Sequence, residues 1–376
     1  MSTDLIEYGS KLDAQSIAET LAFLFDANLK NELNTGERPT PICIWGTHGL
    51  GKTQSVVSYA RERGWKMAYC APAQFEEMGD LHGLPTKMDP DPTRFGDEYT
   101  MYLPPDWVPT EEGPGILLLD DFNRADDRIL RGLMQLLQNF EMFSWSLPPK
   151  WQIVCTANPE GGDYSVTPMD DAMLTRMLHM TMVFDVKAWA SWAVKNNIDP
   201  RGIAFVLTYP EVITGQRTTP RSITAFFQQI RHITDLKSEL NRVLILANSS
   251  LDDVTVSAFL AFVTDNLSSL IHPEEILEAE KFSEIAKRVK ELATGKGDAR
   301  RVDRLATICT RLYLHLANKD YEPGETDARN LVEFLLLDVI PSDLRFSLHK
   351  DLVSLGAKTT AMLNDNRLAR LILAGM

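Results

Sequence analysis

The stretch Gly46-Thr47-His48-Gly49-Leu50-Gly51-Lys52-Thr53 constrains this chain more than any other. It fits the pattern G-x-x-x-x-G-K-S/T, a glycine-rich turn between a strand and a helix. Glycines let the backbone curl so that successive N–H groups point inward at an anion. The apolar run Pro41–Trp45 before the turn has the character of a short buried strand, and Thr53–Arg63 after it reads as a helix. That helix offers its positive end to the same anion. In such a turn Lys52 supplies a point charge to the β and γ phosphates of a nucleotide, and the Thr53 hydroxyl is placed to ligate magnesium. Gly46 to Thr53 are therefore candidate nucleotide contacts.

A second element agrees with the first. Ile116-Leu117-Leu118-Leu119 is an aliphatic run of the kind that is buried on both faces of a parallel sheet. It ends in Asp120-Asp121, so two carboxylates emerge at the carboxyl end of a strand, where open α/β folds bind ligands. Asp120 is the candidate magnesium ligand, directly or through water, and Asp121 the candidate for orienting and activating an attacking water. Lys66–Cys70, Trp151–Thr156 and Leu178–Phe184 are further strand candidates, and residues 11–33 and 127–139 have helical periodicity. Five strands alternating with helices predict an α/β fold, a doubly wound parallel sheet. Beyond Val186 helical periodicity takes over, at 223–233, 251–270, 276–292, 302–316 and 328–339. The reading divides the chain into a nucleotide-binding domain at 1–185, a helical lid at 186–240 and a C-terminal helical region at 241–376. Residues 85–114, crowded with Pro85, Pro90, Pro92, Gly96, Pro104, Pro105, Pro109, Gly113 and Pro114, read as a mostly irregular surface insertion.

Asp120-Asp121-Phe122-Asn123-Arg124-Ala125 and the following Leu133-Met134-Gln135-Leu136-Leu137-Gln138 resemble the acidic pair and next helix of MoxR-like AAA+ ATPases. The resemblance spans roughly residues 35–235. It implies ATP and Mg²⁺ as cofactors, ATP hydrolysis, and assembly into a ring, usually hexameric, that remodels a protein partner, often a von Willebrand factor A-type protein. It implies a pore-facing hairpin at Met142–Lys150, where Phe143, Trp145 and Leu147 could contact a substrate or pack on their own domain. Thr156-Ala157-Asn158-Pro159 is similar to the strand-end sensor of the family, which assigns Asn158 to the attacking water or the γ-phosphate. Asp171-Ala172-Met173-Leu174-Thr175-Arg176 is similar to the segment ending in an arginine finger, so Arg176 would act on the nucleotide of a neighbouring subunit. Thr219-Pro220-Arg221-Ser222 resembles the second sensor, with Pro220 in the first helical turn and Arg221 aimed back at nucleotide. Arg124 is either a further contact between subunits or a solvent-facing arginine. Gly79-Asp80-Leu81-His82-Gly83 resembles the stretch after the second strand, with His82 structural or catalytic.

Two features depart from the family. The second acid is Asp121 where glutamate is usual, one methylene shorter, and the 85–114 insertion is long. The first departure leaves open a nucleotide-dependent binding switch with slow turnover. A nucleic-acid-stimulated motor is also open, since Lys296-Gly297-Asp298-Ala299-Arg300-Arg301 is a local basic cluster. The net charge of -14 argues against a broad nucleic-acid footprint. A small-molecule kinase fits the asparagine and the two downstream arginines less well. Cys43, Cys70, Cys155 and Cys309 have no metal-ligand spacing and read as buried core thiols. Met1–Tyr8 lacks the apolar core of a signal peptide, and no run of about 18 apolar residues is present, which points to a cytoplasmic chain with no membrane span.

Overall fold

The computed structural model describes residues 5–88, 98–161, 165–214, 216–264, 271–294, 301–317 and 321–374. The chain forms two compact units, Met1–Asp185 and Val186–Met376.

Among the described residues of the first unit ten strands are present: β1 (Ser10–Leu12), β2 (Ile42–Trp45), β3 (Lys66–Cys70), β4 (Leu84–Met88), β5 (Tyr99–Leu103), β6 (Gly115–Leu119), β7 (Glu141–Met142), β8 (Trp145–Ser146), β9 (Trp151–Ala157) and β10 (Leu178–Met182). Its helices are α1 (Ala14–Thr35), α2 (Lys52–Arg63), α3 (Met78–His82), α4 (Asp127–Asn139) and α5 (Asp171–Leu174). Six strands make one wholly parallel sheet in the order β1-β10-β2-β9-β6-β3. The five expected strands are present, and β1 adds a sixth at the edge beside β10.

Alternation along the strands sorts the core into two layers. Ile42, Ile44, Ile116, Leu118 and Val154 face α1 and α2, joining Ile17, Leu21, Phe25, Val56 and Ala60. Cys43, Trp45, Leu117, Leu119, Ile153 and Cys155 face the other way, onto Ile129, Leu130, Leu133 and Leu137 of α4. Burial on both sides is why the inner strands are continuously apolar. Helix ends follow local chemistry. Asp13 caps α1 through Ser16 N at 2.8 Å, and Gly36, with φ 72°, closes it through Glu32 O at 2.9 Å.

Within 85–114, the described residues 85–88 and 98–114 hold more regular structure than their proline content suggests. β4 and β5 pair antiparallel, Leu84 opposite Leu103 and Met88 opposite Tyr99. Trp107 then packs edge-on to Trp145 at 5.6 Å, and Val108 is buried. Residues 89–97 lie outside the described residues, as does most of the basic cluster at 296–301. β7 and β8 form a small hairpin after α4.

The second unit is helical: α6 (Val186–Lys195), α7 (Pro200–Thr208), α8 (Pro220–Ile230), α9 (Leu240–Ser250), α10 (Asp253–Thr264), α11 (Pro273–Leu277), α12 (Phe282–Ala293), α13 (Val302–Leu316), α14 (Glu325–Leu335), α15 (Ser342–Ser354), α16 (Ala357–Met362) and α17 (Asn366–Ala374). A cluster of buried rings ties α7, α8 and α10 together, with Phe205, Phe226, Phe227 and Phe262 within about 6 Å of neighbouring centroids. Buried Arg345 satisfies carbonyls at the end of α14 and in the turn that follows it, reaching Leu335 O at 2.7 Å and Ile340 O at 2.9 Å. Among the described residues no helix is long and apolar enough to cross a membrane.

Candidate nucleotide site

The turn from β2 into α2 has the backbone its glycines permit. Gly46, Gly49 and Gly51 have φ of 145°, 76° and 97°. At Gly46 a Cβ would sit 2.7 Å from the carbonyl oxygen of Met182, so only glycine fits there. Gly51 precedes α2, whose first residue is Lys52. Lys52 is 6% exposed, and its ammonium donates to Gly46 O at 2.6 Å, Thr47 O at 3.2 Å and Asn158 Oδ1 at 3.2 Å. It is therefore held over the curled turn rather than in solvent.

Because β2, β6 and β9 are adjacent and parallel, their carboxyl ends bring three sequence-distant segments together. Asp120 Oδ1 accepts hydrogen bonds from Thr53 Oγ1 and from Thr156 Oγ1, each at 2.6 Å. Asp121, just after β6, has φ 47°, in the left-handed region. Its Oδ1 accepts from Asn158 Nδ2 at 3.0 Å, while Arg124 Nε lies 3.8 Å from Oδ2. Asn158 thus bridges the ammonium and the second carboxylate through its two amide ends. Thr53 and Asp120 offer adjacent hard oxygen donors, the chemistry a divalent cation such as Mg²⁺ requires, so this pair fits the expected metal.

The structure brings together Lys52, Thr53, Asp120, Asp121 and Asn158 with the glycine turn. It does not bring Arg176 into that set of bonds. Arg176 follows α5 and bonds Gln138 Oε1 at 3.1 Å and the Ala172 carbonyl. Arg221 lies in the second unit, exposed at the second position of α8 behind a Thr219–Ser222 capping box. Of the hairpin residues, Trp145 and Leu147 are buried and pack on their own unit, while Phe143 is 58% exposed. The His82 ring packs against Phe143 at 4.1 Å with the planes tilted by 56°, and burial lowers its pKa. Arg124 is half-exposed beside Asp121. All four cysteines are buried.

No protein-family model matches the chain, and no curated protein matches its sequence. Among solved structures it is similar to the Holliday junction branch migration motor RuvB of Thermotoga maritima. The identity is 14% over 72% of this chain and 81% of that one, with a TM-score of 0.38. A mutant of the same protein gives 12% identity over the same shares, with a TM-score of 0.40. At that level the likeness adds no weight to the strand order and turn geometry described above.

Three residues of the site were given no role by the sequence. Asn123 is fully buried, and its amide clasps the main chain of Asn158, donating to Asn158 O at 2.7 Å and accepting from Asn158 N at 3.0 Å. Thr156 donates to Asp120 and accepts from the Asp121 amide at 2.8 Å, so one hydroxyl spaces both acids. Tyr69 reaches from β3 to donate to Asp120 Oδ2 at 3.0 Å. Burial first, then this hydrogen bond to a carboxylate, pushes the Tyr69 phenol up to about 12. Asn123 could have been noticed, since a polar residue that close to the acid pair on a buried turn needs a partner.

Proposed function

We propose that the chain is an ATP-binding and ATP-hydrolysing P-loop ATPase of the AAA+ kind, in its MoxR-like branch, working as an oligomeric ring that remodels or assembles a protein partner. The observation that carries this reading is the meeting of Lys52, Thr53, Asp120, Asp121 and Asn158 at the carboxyl ends of β2, β6 and β9 beside a glycine turn. The Asn-Arg-Ala after the acids and the β7–β8 hairpin after α4 support the MoxR-like branch. Residues 186–240 would then be the lid that carries Arg221, and 241–376 a C-terminal helical region.

In this reading the amides of Gly46–Thr53 and the Lys52 ammonium bind the phosphate tail. Thr53 and Asp120 would hold Mg²⁺, which supplies charge neutralisation at the phosphate oxygens when bound. Asp121 and Asn158 hold the attacking water in line, the carboxylate accepting its hydrogen bond and the amide fixing the carboxylate. Arg176 would serve the site of the neighbouring subunit.

A second reading keeps nucleotide binding and drops fast turnover. The short Asp121 side chain is tethered by Asn158 Nδ2 and neighboured by Arg124, which restrains its reach toward a water. Phosphate release by the purified chain, with Lys52→Ala as control, decides between them. Steady turnover that vanishes with Lys52 supports the ATPase; nucleotide binding without turnover supports the switch.

A further inference from the structure

Trp45 is the last residue of β2, immediately before Gly46, and its indole is fully buried. Its Nε1–H donates to His179 Nδ1 at 2.9 Å. Indole nitrogen only donates, so Nδ1 must accept, and the imidazole proton sits on Nε2. From there it is donated to the carbonyl of Leu174 at 2.8 Å. The opposite tautomer would set two donors face to face and leave that carbonyl opposite a lone pair. Leu174 ends α5, and Arg176 follows on the same turn, its N–H bonded to Met173 O at 3.1 Å and its guanidinium to Ala172 O. The Tyr8 ring packs over both rings, at 4.8 Å from Trp45 and 5.7 Å from His179. Tyr8 O in turn accepts from Thr181 Oγ1 at 3.0 Å. The imidazole is therefore tied on one side to the strand that opens into the glycine turn and on the other to the turn that carries Arg176.

We infer that His179 is a positioning residue that joins the P-loop strand to the Arg176 turn, so that a subunit's own nucleotide site sets the placement of the arginine it offers to its neighbour. This rests on the in-trans role of Arg176 given above. Two hydrogen bonds through one planar ring leave little slack between the joined segments. Displacing Trp45 as nucleotide enters the adjacent turn shifts the Leu174 carbonyl, and with it the base of Arg176.

The test uses His179→Phe, which keeps a ring for Tyr8 to face and deletes both hydrogen bonds, and Trp45→Phe, which deletes the indole donor together with part of the bicyclic ring and leaves the imidazole in place. Nucleotide affinity, melting temperature and ATP turnover are measured on each full chain, alone and mixed with excess Asp121→Ala subunits. The inference predicts near-wild-type affinity for both variants. Turnover should fall on the order of 100-fold for His179→Phe, the effect of a misplaced catalytic group, and about tenfold for Trp45→Phe, which loses one hydrogen bond. Mixing should restore turnover, because Asp121→Ala neighbours supply a correctly held Arg176 to the intact sites of the variant. Wild-type turnover in His179→Phe overturns the inference. So does a loss that mixing fails to restore while Arg176→Ala is restored under the same conditions, since the defect then lies in the subunit's own site. If Arg176→Ala itself is not restored by mixing, the in-trans reading fails and takes this inference with it. Should His179→Phe melt early, Trp45→Phe, with the imidazole and Tyr8 intact, carries the same comparisons.

Discussion

Replacing Asn123 by alanine should lower stability and catalysis together, whereas replacing Asn158 should lower catalysis with a smaller effect on stability. Asn123 is fully buried, and its amide supplies both partners of the Asn158 main chain, at 2.7 and 3.0 Å. Alanine leaves a buried N–H and a buried C=O without partners, at about 1–3 kcal/mol each. Some relaxation and water entry from the adjacent cleft will offset part of this, so a net loss of about 3 kcal/mol is expected. For a unit the size of Met1–Asp185 that corresponds to a fall of about 6–12 °C in melting temperature. Asn158→Ala keeps the clasp, because the clasp engages its backbone. It loses only the side-chain bridge between Lys52 and Asp121 and should show the smaller thermal shift, with turnover reduced on the order of 100-fold. Scanning calorimetry and phosphate release on the two variants make the comparison. An Asn123→Ala chain that melts with the wild type and turns over normally would refute the argument that Asn123 holds Asn158 in place.

Asp121→Glu restores the longer acid usual in the family that the sequence resembles; on the slow-switch reading it should raise phosphate release several-fold, and an unchanged or lower rate would remove the case for that reading. The four cysteines should resist a thiol reagent in the folded chain and react fully in denaturant, because all four are buried. Burial pushes the Cys70 and Cys309 thiols up to about 12, from an ordinary value of 9.0. The neutral thiol is the favoured form in the fold, so its contribution to stability is present below pH about 9 and is lost as pH rises toward 12. Rapid labelling near pH 8 without denaturant would contradict this placement of the thiols.

Much of the site was legible because its chemistry is written in contiguous residues. The glycine turn, the strand-end acids and Asn158 each sit beside an apolar run whose burial on both faces needs no alternation to be recognised. What escaped was set by long-range contact. β1 is three residues, Ser10–Leu12, at a sheet edge, and it exists because Gly9 lets the chain pass close to β10; the first helix therefore starts later than its periodicity suggests. The β4–β5 hairpin is hidden by prolines that lie within and beside an exposed pair of strands. The run 251–270, read as helical, holds α10, which starts only after Asp252: that carboxylate is drawn to the Thr218 amide at 2.8 Å and its carbonyl accepts the first helical bond, from Val256 N, while residues 265–270 lie outside the described residues. The run 276–292 breaks after Leu277, where buried Asn330 takes the carbonyls of Leu277 and Ala279, each at 2.8 Å. The role of Asn123 could not be read from spacing, since its partner lies 35 positions away.

The central claim is that the turn at Gly46–Thr53 and the Lys52 ammonium bind the phosphates of a nucleotide. Calorimetric titration of the purified chain with ATP in excess Mg²⁺ tests it most directly. The account predicts saturable binding at one site per chain, lost or at least about tenfold weaker in Lys52→Ala, as expected when one charge-assisted contact to phosphate is removed. Absence of heat with both ATP and ADP, or equal affinity in the Lys52→Ala chain, would contradict it.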